Sequence, residues 1–399
     1  MVVESRRVKQ NLSAKARDGA DPSDHTVAQV TRQENKSLLM VGNFLSGRVG
    51  TWEYCESLSS RLRRAGWTVI TVSSKRSRAL RLIDMLITAI RSRHRYSVAH
   101  VDVYSGRAFT WAQWVGHILH FLGKPFIFSL HGGALPSFAV GREATVRKTL
   151  SLADAVTTPS PFLREEMKSY RQDIRMIPNG LDLSEYAFRV RKIATPRLIW
   201  LRAFHAIYDP LMAIRVTGIL RTMGIEATLT MLGPDKGDGS LQACLAETAS
   251  LGLENVVRIP GGVPKEDVPS WLDSADLFLN TTLVDNSPVS VHEAMACGLC
   301  VVSTNVGGLP YFLHHRENAL LVPSRDVQAM ATAVAELLTD RELAEQLSSA
   351  GRKSVSSHEW TRVLPDWERL LMNISHGTVW GNGEEGSVGE EGKAHASHR

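Results

Sequence analysis

The chain has 399 residues, which is enough for two or three domains of ordinary size. Apolar residues make up 43% of it and charged residues 22%, a composition that excludes collagen, a coiled coil and wholesale disorder. The formal net charge is only +5, so nucleic acid is not expected as a partner. The four cysteines are too few and too scattered for a disulfide framework and favour a reducing compartment.

The two ends of the chain differ in composition from the rest. Residues 1–36 are polar and without periodicity, and residues 376–399 are rich in glycine and glutamate, so both are predicted to be disordered. No run reaches 18 apolar residues, and the first 36 residues lack the apolar core of a signal peptide. We therefore expect a cytoplasmic protein, with a peripheral position on the inner face of the membrane as an open alternative.

Short apolar runs alternate with helical stretches in the first half of the chain. The runs predict strands at 38–41, 67–72, 98–104, 125–130, 155–158 and 175–177. Helices are predicted at 51–65 and 109–122. Strands separated by helices need crossover connections, so this half is expected to form a parallel sheet.

The same alternation begins again at residue 197. Strands are predicted at 197–201, 227–232, 256–259, 275–279, 300–303 and 319–322. Helices are predicted at 210–223, 242–251, 265–272, 288–296, 326–338 and 340–349. The segment 177–195, which contains Pro178 and Gly180, is interpreted as the connection between two domains.

These elements predict an α/β fold of two facing, doubly wound Rossmann-like domains, with the ligand site in the cleft at the carboxyl ends of the strands. The predicted division is an arm at 1–36, a first domain at 37–187, a hinge at 188–195, a second domain at 196–355, a terminal helix at 356–375 and a tail at 376–399.

The stretch 280–298 has the features of an anion site. Ser287 is a preferred N-cap residue and Pro288 suits a first helical turn, so a helix is predicted to begin there. The backbone N–H groups of Val289 and Ser290 would then be free to hold an anion, helped by the helix dipole.

Two acids flank this helix start. Asp285 precedes it and Glu293 lies eight residues further along, on the predicted helix. A capped helix with two surface acids would show the same spacing, so the spacing alone leaves a structural and a functional interpretation open.

Here the sequence resembles family 4 of the retaining, nucleotide-sugar-dependent glycosyltransferases, which have the GT-B fold. The family's paired glutamates, with an Ala-Met-Ala continuation, are similar to Asp285 and to Glu293 with the three residues after it. The family's Gly-Gly-x-Pro sequence resembles residues 307–310, and its interdomain signature resembles residues 177–182. The resemblance covers about residues 36–373.

The resemblance implies roles for individual residues. The first domain would bind the acceptor, the second domain would bind the donor, and the terminal helix would return to the first domain. Asp285, which is one methylene shorter than the family's glutamate, would meet hydroxyls of the donor sugar as a catalytic residue. Glu293 would hold the ribose. The other implied donor-binding residues of this stretch are Asn286, Ser287, Val289 and Ser290.

The largest departure from the family concerns the cations that contact the leaving diphosphate of the donor. Arg202 matches the family's arginine, which implies a catalytic role, although a surface ion pair is the alternative interpretation. Ile207 stands where the family has a lysine. Loss of one such group costs about 3–4 kcal/mol, or roughly a thousandfold in rate. Lys236 is predicted as a substitute cation, with Tyr208 and His205 as other candidates.

Two loops of the first half also resemble the family. His131 follows a predicted strand and precedes two glycines, and the resemblance implies that it contacts the donor sugar. A structural hydrogen bond is the alternative for this histidine. Gly50 lies in a glycine loop that resembles the family's phosphate and acceptor loop. This loop lacks the Gly-x-Gly-x-x-Gly spacing of a dinucleotide site, which counts against a dehydrogenase.

The implied reaction moves a sugar from a nucleotide-sugar donor to a hydroxyl acceptor with retention of configuration. No Asp-x-Asp pair occurs in the chain, and no metal or other cofactor is expected. Cys297 and Cys300 form a lone Cys-x-x-Cys, for which zinc is not expected. The acceptor stays open between a glycan, a lipid-linked molecule and a small molecule. A catalytically impaired nucleotide-sugar-binding protein and an epimerase of the same fold are the alternatives.

A basic, partly apolar segment lies between Lys75 and Arg95. It holds seven lysine or arginine residues against one acid, Asp84, interleaved with leucine and isoleucine. This pattern predicts a helix that either lies on anionic lipid as a peripheral membrane contact or packs on the sheet with a solvated basic face. We favour the second interpretation.

Overall fold

The structure, a computed structural model, describes residues 36–45, 54–75 and 77–377. The disorder predicted for the arm before residue 36 and for the tail after residue 377 lies outside these residues. The phosphate and acceptor loop around Gly50 lies outside them as well.

The first sheet has six parallel strands in the order β2-β1-β3-β4-β5-β6. The strands are β1 (Ser37–Val41), β2 (Thr68–Val72), β3 (Val98–Val103), β4 (Phe126–Leu130), β5 (Ala155–Thr158) and β6 (Ile174–Met176). The helices are α1 (Tyr54–Arg64), α2 (Arg78–Arg91), α3 (Arg107–Phe121), α4 (Leu135–Ala139), α5 (Glu143–Leu150) and α6 (Pro161–Met167). Strands β1, β3, β4 and β5 are buried along their whole length, as expected for a parallel sheet covered on both faces.

The second sheet also has six parallel strands, in the order β12-β11-β10-β7-β8-β9. The strands are β7 (Arg197–Leu201), β8 (Thr228–Leu232), β9 (Val257–Gly261), β10 (Leu277–Asn280), β11 (Cys300–Thr304) and β12 (Leu320–Val322). The helices are α7 (Pro210–Thr222), α8 (Ser240–Ser250), α9 (Val268–Asp273), α10 (Val289–Ala296), α11 (Val327–Thr339) and α12 (Arg341–Ser354). The order reverses between β10 and β7, which is where such sheets bind ligands.

The last helix, α13 (Trp360–Ser375), leaves the second sheet and packs on the first. Trp367 and Leu371 are buried in one apolar cluster with Leu38 and Met40 of β1. The crossing segment touches the connection between the sheets at Gly180, where an added Cβ atom would lie 2.5 Å from the Trp360 ring. Only glycine fits there, because the indole already fills the space of a side chain.

The two doubly wound parallel sheets predicted from the sequence are confirmed. Three helices were not predicted: α4, α5 and α6. They have five, eight and seven residues, too few for an apolar repeat to stand out from the sequence. The predicted helix at 265–272 is a 3-10 turn over Lys265–Asp267 that leads into α9.

Helix α2 packs on the first sheet through Met85 and Ala89, as the favoured interpretation of the basic segment requires. Its outer face differs from that interpretation, because it exposes Leu80, Ile83 and other aliphatic side chains together with arginines. Among the described helices, none is both long and apolar enough to cross a membrane.

Candidate functional site

The carboxyl ends of the two sheets meet at Gly133 and Asp285. Gly133 follows β4, and Asp285 follows β10. A Cβ atom on Gly133 would lie 2.6 Å from the carbonyl oxygen of Asp285, so the two loops touch and only glycine fits. The candidate site is therefore built by both sheets.

Two further glycines enclose the backbone of this acidic loop. An added Cβ atom on Gly307 would lie 2.2 Å from the Asp285 carbonyl oxygen, and one on Gly308 would lie 2.1 Å from that of Asn286. The Gly308 N–H donates to the Asp285 carbonyl at 3.0 Å. The Gly-Gly-x-Pro sequence thus has a physical reason, since a side chain at either glycine would collide with the backbone of the acidic loop.

Arg202 and Asp285, predicted from different parts of the sequence, are brought together. The Arg202 guanidinium forms a charged hydrogen bond with Oδ2 of Asp285. It also lies 4.3 Å from the centroid of the Tyr208 ring, within range of a cation–π contact. Burial lowers the pKa of Arg202 from its ordinary value, although the neighbouring Tyr208 partly opposes this. A cation in this position can stabilise an anion that binds beside it.

The capping role predicted for Ser287 is wrong. Helix α10 begins at Val289, and its N-cap is Pro288 in an extended conformation, with no side-chain cap. The Ser287 hydroxyl instead lies 3.0 Å from Nε2 of His292, within hydrogen-bond distance. The reason is that Pro288 itself occupies the cap position, so Ser287 lies one residue before the cap.

The predicted anion donors remain at the helix start. The first hydrogen bond of the turn runs from the Val291 N–H to the Pro288 carbonyl, at 3.1 Å. The N–H groups of Val289 and Ser290 are therefore among those that a helix start leaves without an intrahelical acceptor. They lie at the positive end of the helix dipole, so an anion fits there.

Polar atoms without partners surround the same helix start. Asn286 Oδ1, Ser290 Oγ and Arg202 Nε are buried, and none has a hydrogen-bond partner among the described residues. Most buried polar atoms in proteins are paired, so a cluster of unpaired ones calls for an explanation. A polar ligand in the cleft would supply the missing partners.

Glu293, predicted to hold a ribose, is buried and already in contact with two residues that the sequence did not indicate. The Tyr186 hydroxyl donates to its Oε1 at 2.8 Å, and the Lys265 ammonium pairs with the same oxygen. Burial lowers the pKa of Lys265 to about 8 and raises that of Tyr186. Because both contacts involve Oε1, the lone pairs of Oε2 can accept further hydroxyl donors.

On the first sheet, His131 lies against a buried carboxylate. Its Nε2 is 3.2 Å from Oδ1 of Asp102, and its ring stacks on Tyr104 with centroids 5.4 Å apart. Burial alone would raise the pKa of Asp102, but the neighbouring imidazoles, His131 foremost, outweigh burial and lower that pKa. Gly42 makes room, since a Cβ atom there would lie 2.6 Å from Asp102 Oδ2. An ionised Asp102 can fix the orientation of the imidazole.

Asp102 was missed from the sequence because it lies inside an apolar strand. A charged residue is rarely fully buried without a partner. An acid within an apolar, strand-forming segment therefore indicates that a partner lies nearby in the fold. His100, two residues earlier, lies 3.7 Å from the same carboxylate oxygen, and burial lowers its pKa to about 4. It is therefore a neutral, structural histidine at physiological pH.

The predicted substitute cation, Lys236, lies in the exposed loop after β8, where its N–H donates to the Phe204 carbonyl at 3.2 Å, close in sequence to Arg202. Its ammonium forms no ion pair with a described residue. Ile207 also lies beside the site, since its carbonyl accepts from the N–H of Leu283 at 2.8 Å. Across the described residues, no three histidine, cysteine or acidic side chains are grouped to hold a metal ion.

Comparisons with known proteins agree with this arrangement. The family model of glycosyl transferases group 1 matches residues 208–354, and that of glycosyltransferase family 4 matches residues 49–185. A D-inositol 3-phosphate glycosyltransferase from Paenarthrobacter aurescens is 27% identical over 63% of this chain and 65% of its own length. A putative colanic acid biosynthesis glycosyltransferase, WcaL from Salmonella typhimurium, is 28% identical over 44% of this chain and 45% of its own. The chain thus matches less than two thirds of these relatives.

Solved structures match over a larger share of the chain. Sucrose-phosphate synthase from Thermosynechococcus elongatus has a TM-score of 0.71 at 18% identity, covering 86% of this chain and 100% of its own. Anabaena HepE, solved with UDP and glucose, has a TM-score of 0.67 at 14% identity, covering 84% of this chain and 99% of its own. These likenesses establish the GT-B fold. With one family model on each sheet, the chain belongs to the group 1 glycosyltransferases.

Proposed function

We propose that this chain is a retaining glycosyltransferase that moves a sugar from a nucleoside diphosphate donor to a hydroxyl acceptor. The observation that carries the proposal is the set of unpaired buried polar atoms around the start of α10, on Asn286, Ser290 and Arg202. Two of these atoms lie beside a helix N-terminus, and the third belongs to the Arg202 cation. A helix N-terminus and a guanidinium together suit the binding of a diphosphate. The names of the relatives and the UDP and glucose bound to HepE support the same donor class.

The donor would lie along the second sheet. Its diphosphate accepts hydrogen bonds from the N–H groups of Val289 and Ser290 and from the guanidinium of Arg202. Its ribose hydroxyls donate to the carboxylate of Glu293. Asp285 and the backbone of Asn286 and Ser287 meet hydroxyls of the donor sugar. As the glycosidic bond breaks, negative charge grows on the leaving phosphate, and fixed donors at that point lower the barrier. Arg202 then exchanges part of its contact with Asp285 for the phosphate.

The first sheet supplies the opposite wall. His131, oriented by Asp102, faces the donor sugar where the two sheets touch at Gly133 and Asp285. The leaving phosphate takes the proton of the acceptor hydroxyl on the same face of the sugar, so configuration is retained. No protein nucleophile is required. The proposed division of labour is an acceptor domain at 37–187 and a donor domain at 196–355.

Charge balance without a metal ion is part of the proposal. It is supported by Arg202 and the start of α10, which supply positive potential where other transferases use a metal held by an Asp-x-Asp pair. That pair does not occur in this sequence. A cytoplasmic location is proposed from the four cysteines, all of which are buried free thiols.

A catalytically impaired nucleotide-sugar-binding protein is the second candidate, and Ile207 favours it. The position lies beside the site but carries no cation, so a binding protein with slow chemistry would show the same structure.

A panel of UDP-, GDP-, ADP- and TDP-sugars tests both candidates. The correct donor at a hundred times its Kd stabilises the folded chain by about 2.7 kcal/mol and raises its melting temperature. A transferase also hydrolyses that donor slowly with EDTA present, and the released sugar first appears in the donor's anomeric form by NMR. Stabilisation without hydrolysis or transfer to any acceptor favours the binding protein. No stabilisation by any donor contradicts both candidates.

A further inference from the structure

The outer faces of α2 and α3 expose large apolar side chains. On α2, Leu80, Ile83, Ile87 and Ile90 are between 40% and 56% exposed, and their spacing places them along one face of the helix. On the neighbouring α3, Trp114 and Phe121 are 55% and 86% exposed, one above the other seven residues apart. These six residues are called the α2/α3 surface. Exposed apolar residues gathered on neighbouring helices mark an interaction site rather than ordinary surface.

Cations lie at both ends of the α2 stripe. The exposed basic residues are Lys75, Arg78, Arg91, Arg93 and Arg95. None of them forms an ion pair with an acid in the described part of the chain. The one acid of this segment, Asp84, accepts a hydrogen bond of 2.6 Å from the Ser73 hydroxyl. The stripe is thus apolar along its length and positively charged at its ends.

The orientation of α2 is fixed from its inner side. Arg81 is buried and donates to the Lys75 carbonyl at 2.9 Å and to Asn43 Oδ1 at 2.9 Å. Its guanidinium also lies 5.1 Å from the centroid of the Trp111 ring. Rotation of α2 about its axis would bury the apolar stripe, but it would also break these contacts of Arg81. The apolar face is therefore a stable feature of the fold.

We propose that the α2/α3 surface docks on an anionic phospholipid bilayer. Apolar side chains enter the acyl boundary, the indole of Trp114 suits the interface, and the flanking cations meet lipid phosphates. A second copy of the chain is a poorer occupant, since a twofold contact would set the same cations against each other. Nucleic acid is poorer still, because its phosphates would face the apolar stripe. The proposal does not depend on the transferase reaction.

Cosedimentation of the full chain with vesicles tests this surface. We expect binding to phosphatidylcholine vesicles that contain phosphatidylglycerol, little binding to phosphatidylcholine alone, and weakening as salt shortens the Debye length from about 10 Å at 0.1 M to about 3 Å at 1 M. The double variant Ile83→Ser/Ile87→Ser should weaken binding by about tenfold or more. The triple variant Arg91→Gln/Arg93→Gln/Arg95→Gln should weaken it by about 100-fold.

A matched control and an oligomer measurement make the result decisive. Met223→Ser/Leu245→Ser removes two apolar residues of similar exposure, 46% and 53%, from the other half of the chain and should leave vesicle binding unchanged. Unchanged melting temperatures show that the variants are folded. Absence of binding to anionic vesicles, or equal loss in the control, overturns the proposal. So does a wild-type oligomer that Ile83→Ser/Ile87→Ser converts to a monomer, since the surface is then a protein interface.

Discussion

The Tyr186 hydroxyl donates a 2.8 Å hydrogen bond to Oε1 of Glu293, and it does so from the segment that joins the two sheets. The same segment is tied to the crossing back to the first sheet, because the Leu181 N–H donates to the His358 carbonyl at 2.6 Å. The carboxylate proposed to hold the ribose is therefore bonded to the connection between the sheets. Binding at Glu293 and movement of that connection must influence each other.

Tyr186→Phe removes this contact without changing the ring. A hydrogen bond to a charged group contributes about 1.5–3 kcal/mol, so we expect the free energy of unfolding to fall by that amount, measured by urea denaturation. Tyr170→Phe is the control, since Tyr170 also packs on a core through its ring. An equal effect of both variants would mean that the Tyr186 bond contributes nothing particular.

Glu293→Gln tests the ribose assignment directly. It keeps the side-chain shape but weakens the charged hydrogen bonds to a ribose, so donor affinity should fall by about tenfold or more in calorimetric titration. Alanine is a poorer choice, because it would leave the Lys265 ammonium and the Tyr186 hydroxyl without their buried acceptor. Glu254→Gln, at an exposed acid in the same half of the chain, is the control. Unchanged donor affinity in the glutamine variant contradicts the assignment.

The regular elements were predictable because their signals are local. A fully buried strand such as β4 is a continuous apolar run, and glycine or proline marks its ends. The short helices α4 and α6 have too few residues for a repeat and depend on packing against the sheet. Local rules also failed at Ser287, because its capping preference competed with a proline that already held the cap position.

The candidate site was predictable only where sequence motifs carried it. The motifs indicated Arg202 and Asp285, but their ion pair joins residues 83 apart in the chain, which no local pattern encodes. The contacts of Glu293 are equally remote, since Tyr186 is 107 residues away. The exposure of the α2 isoleucines was unexpected. An amphipathic pattern shows that a helix has two different faces, but it does not show which of them packs against the sheet. Arg81 decides that through contacts that depend on the fold.

Asp102→Asn is expected to lower turnover while leaving donor affinity unchanged. The amide cannot hold His131 as the carboxylate does, and misplacing a group at the reacting centre by about 1 Å costs up to about 100-fold. The measurement is kcat and donor KM for the identified donor. Asp154→Asn is the control, because Asp154 accepts from the Phe126 N–H at 2.8 Å at the other end of the sheet. Equal turnover of wild type and Asp102→Asn would remove the carboxylate from the proposed mechanism.

Acid should destabilise the fold through His100. Burial lowers the pKa of His100 to about 4 from 6.5, so between these values the unfolded chain binds a proton that the folded chain does not. Stability is then complete above pH 6.5 and declines toward pH 4, by about 3 kcal/mol for this group. Burial also lowers the pKa of His292 and His358, which act in the same direction.

Urea denaturation at pH 7.0 and pH 4.5 measures this decline. His100→Asn removes one of the contributing groups and should make stability depend less steeply on pH, whatever its effect at pH 7.0. His94→Asn, at an exposed position, should not change the slope. A slope in His100→Asn equal to that of the wild type would show that His100 does not contribute to it.

Ile207→Lys tests whether the missing cation limits the reaction. Ile207 follows β7, and its carbonyl accepts a hydrogen bond from Leu283, in the loop that leads to Asp285. The next residue is Tyr208, whose ring contacts the Arg202 guanidinium. A lysine there would place a second positive charge beside the leaving phosphate. One well-placed donor contributes about 3–4 kcal/mol to such a transition state, so turnover should rise by at least about tenfold even if the placement is imperfect.

The control is Ile207→Met, which gives a long side chain without the charge, and salt dependence of turnover separates charge from packing. A rise in the lysine variant alone identifies Ile207 as the cause of slow chemistry and favours a transferase that has lost one cation. Turnover that is unchanged or lower, in a variant with wild-type donor affinity and melting temperature, means that Arg202 and the start of α10 already supply the positive potential. In that case the departure from the family at position 207 does not impair the enzyme.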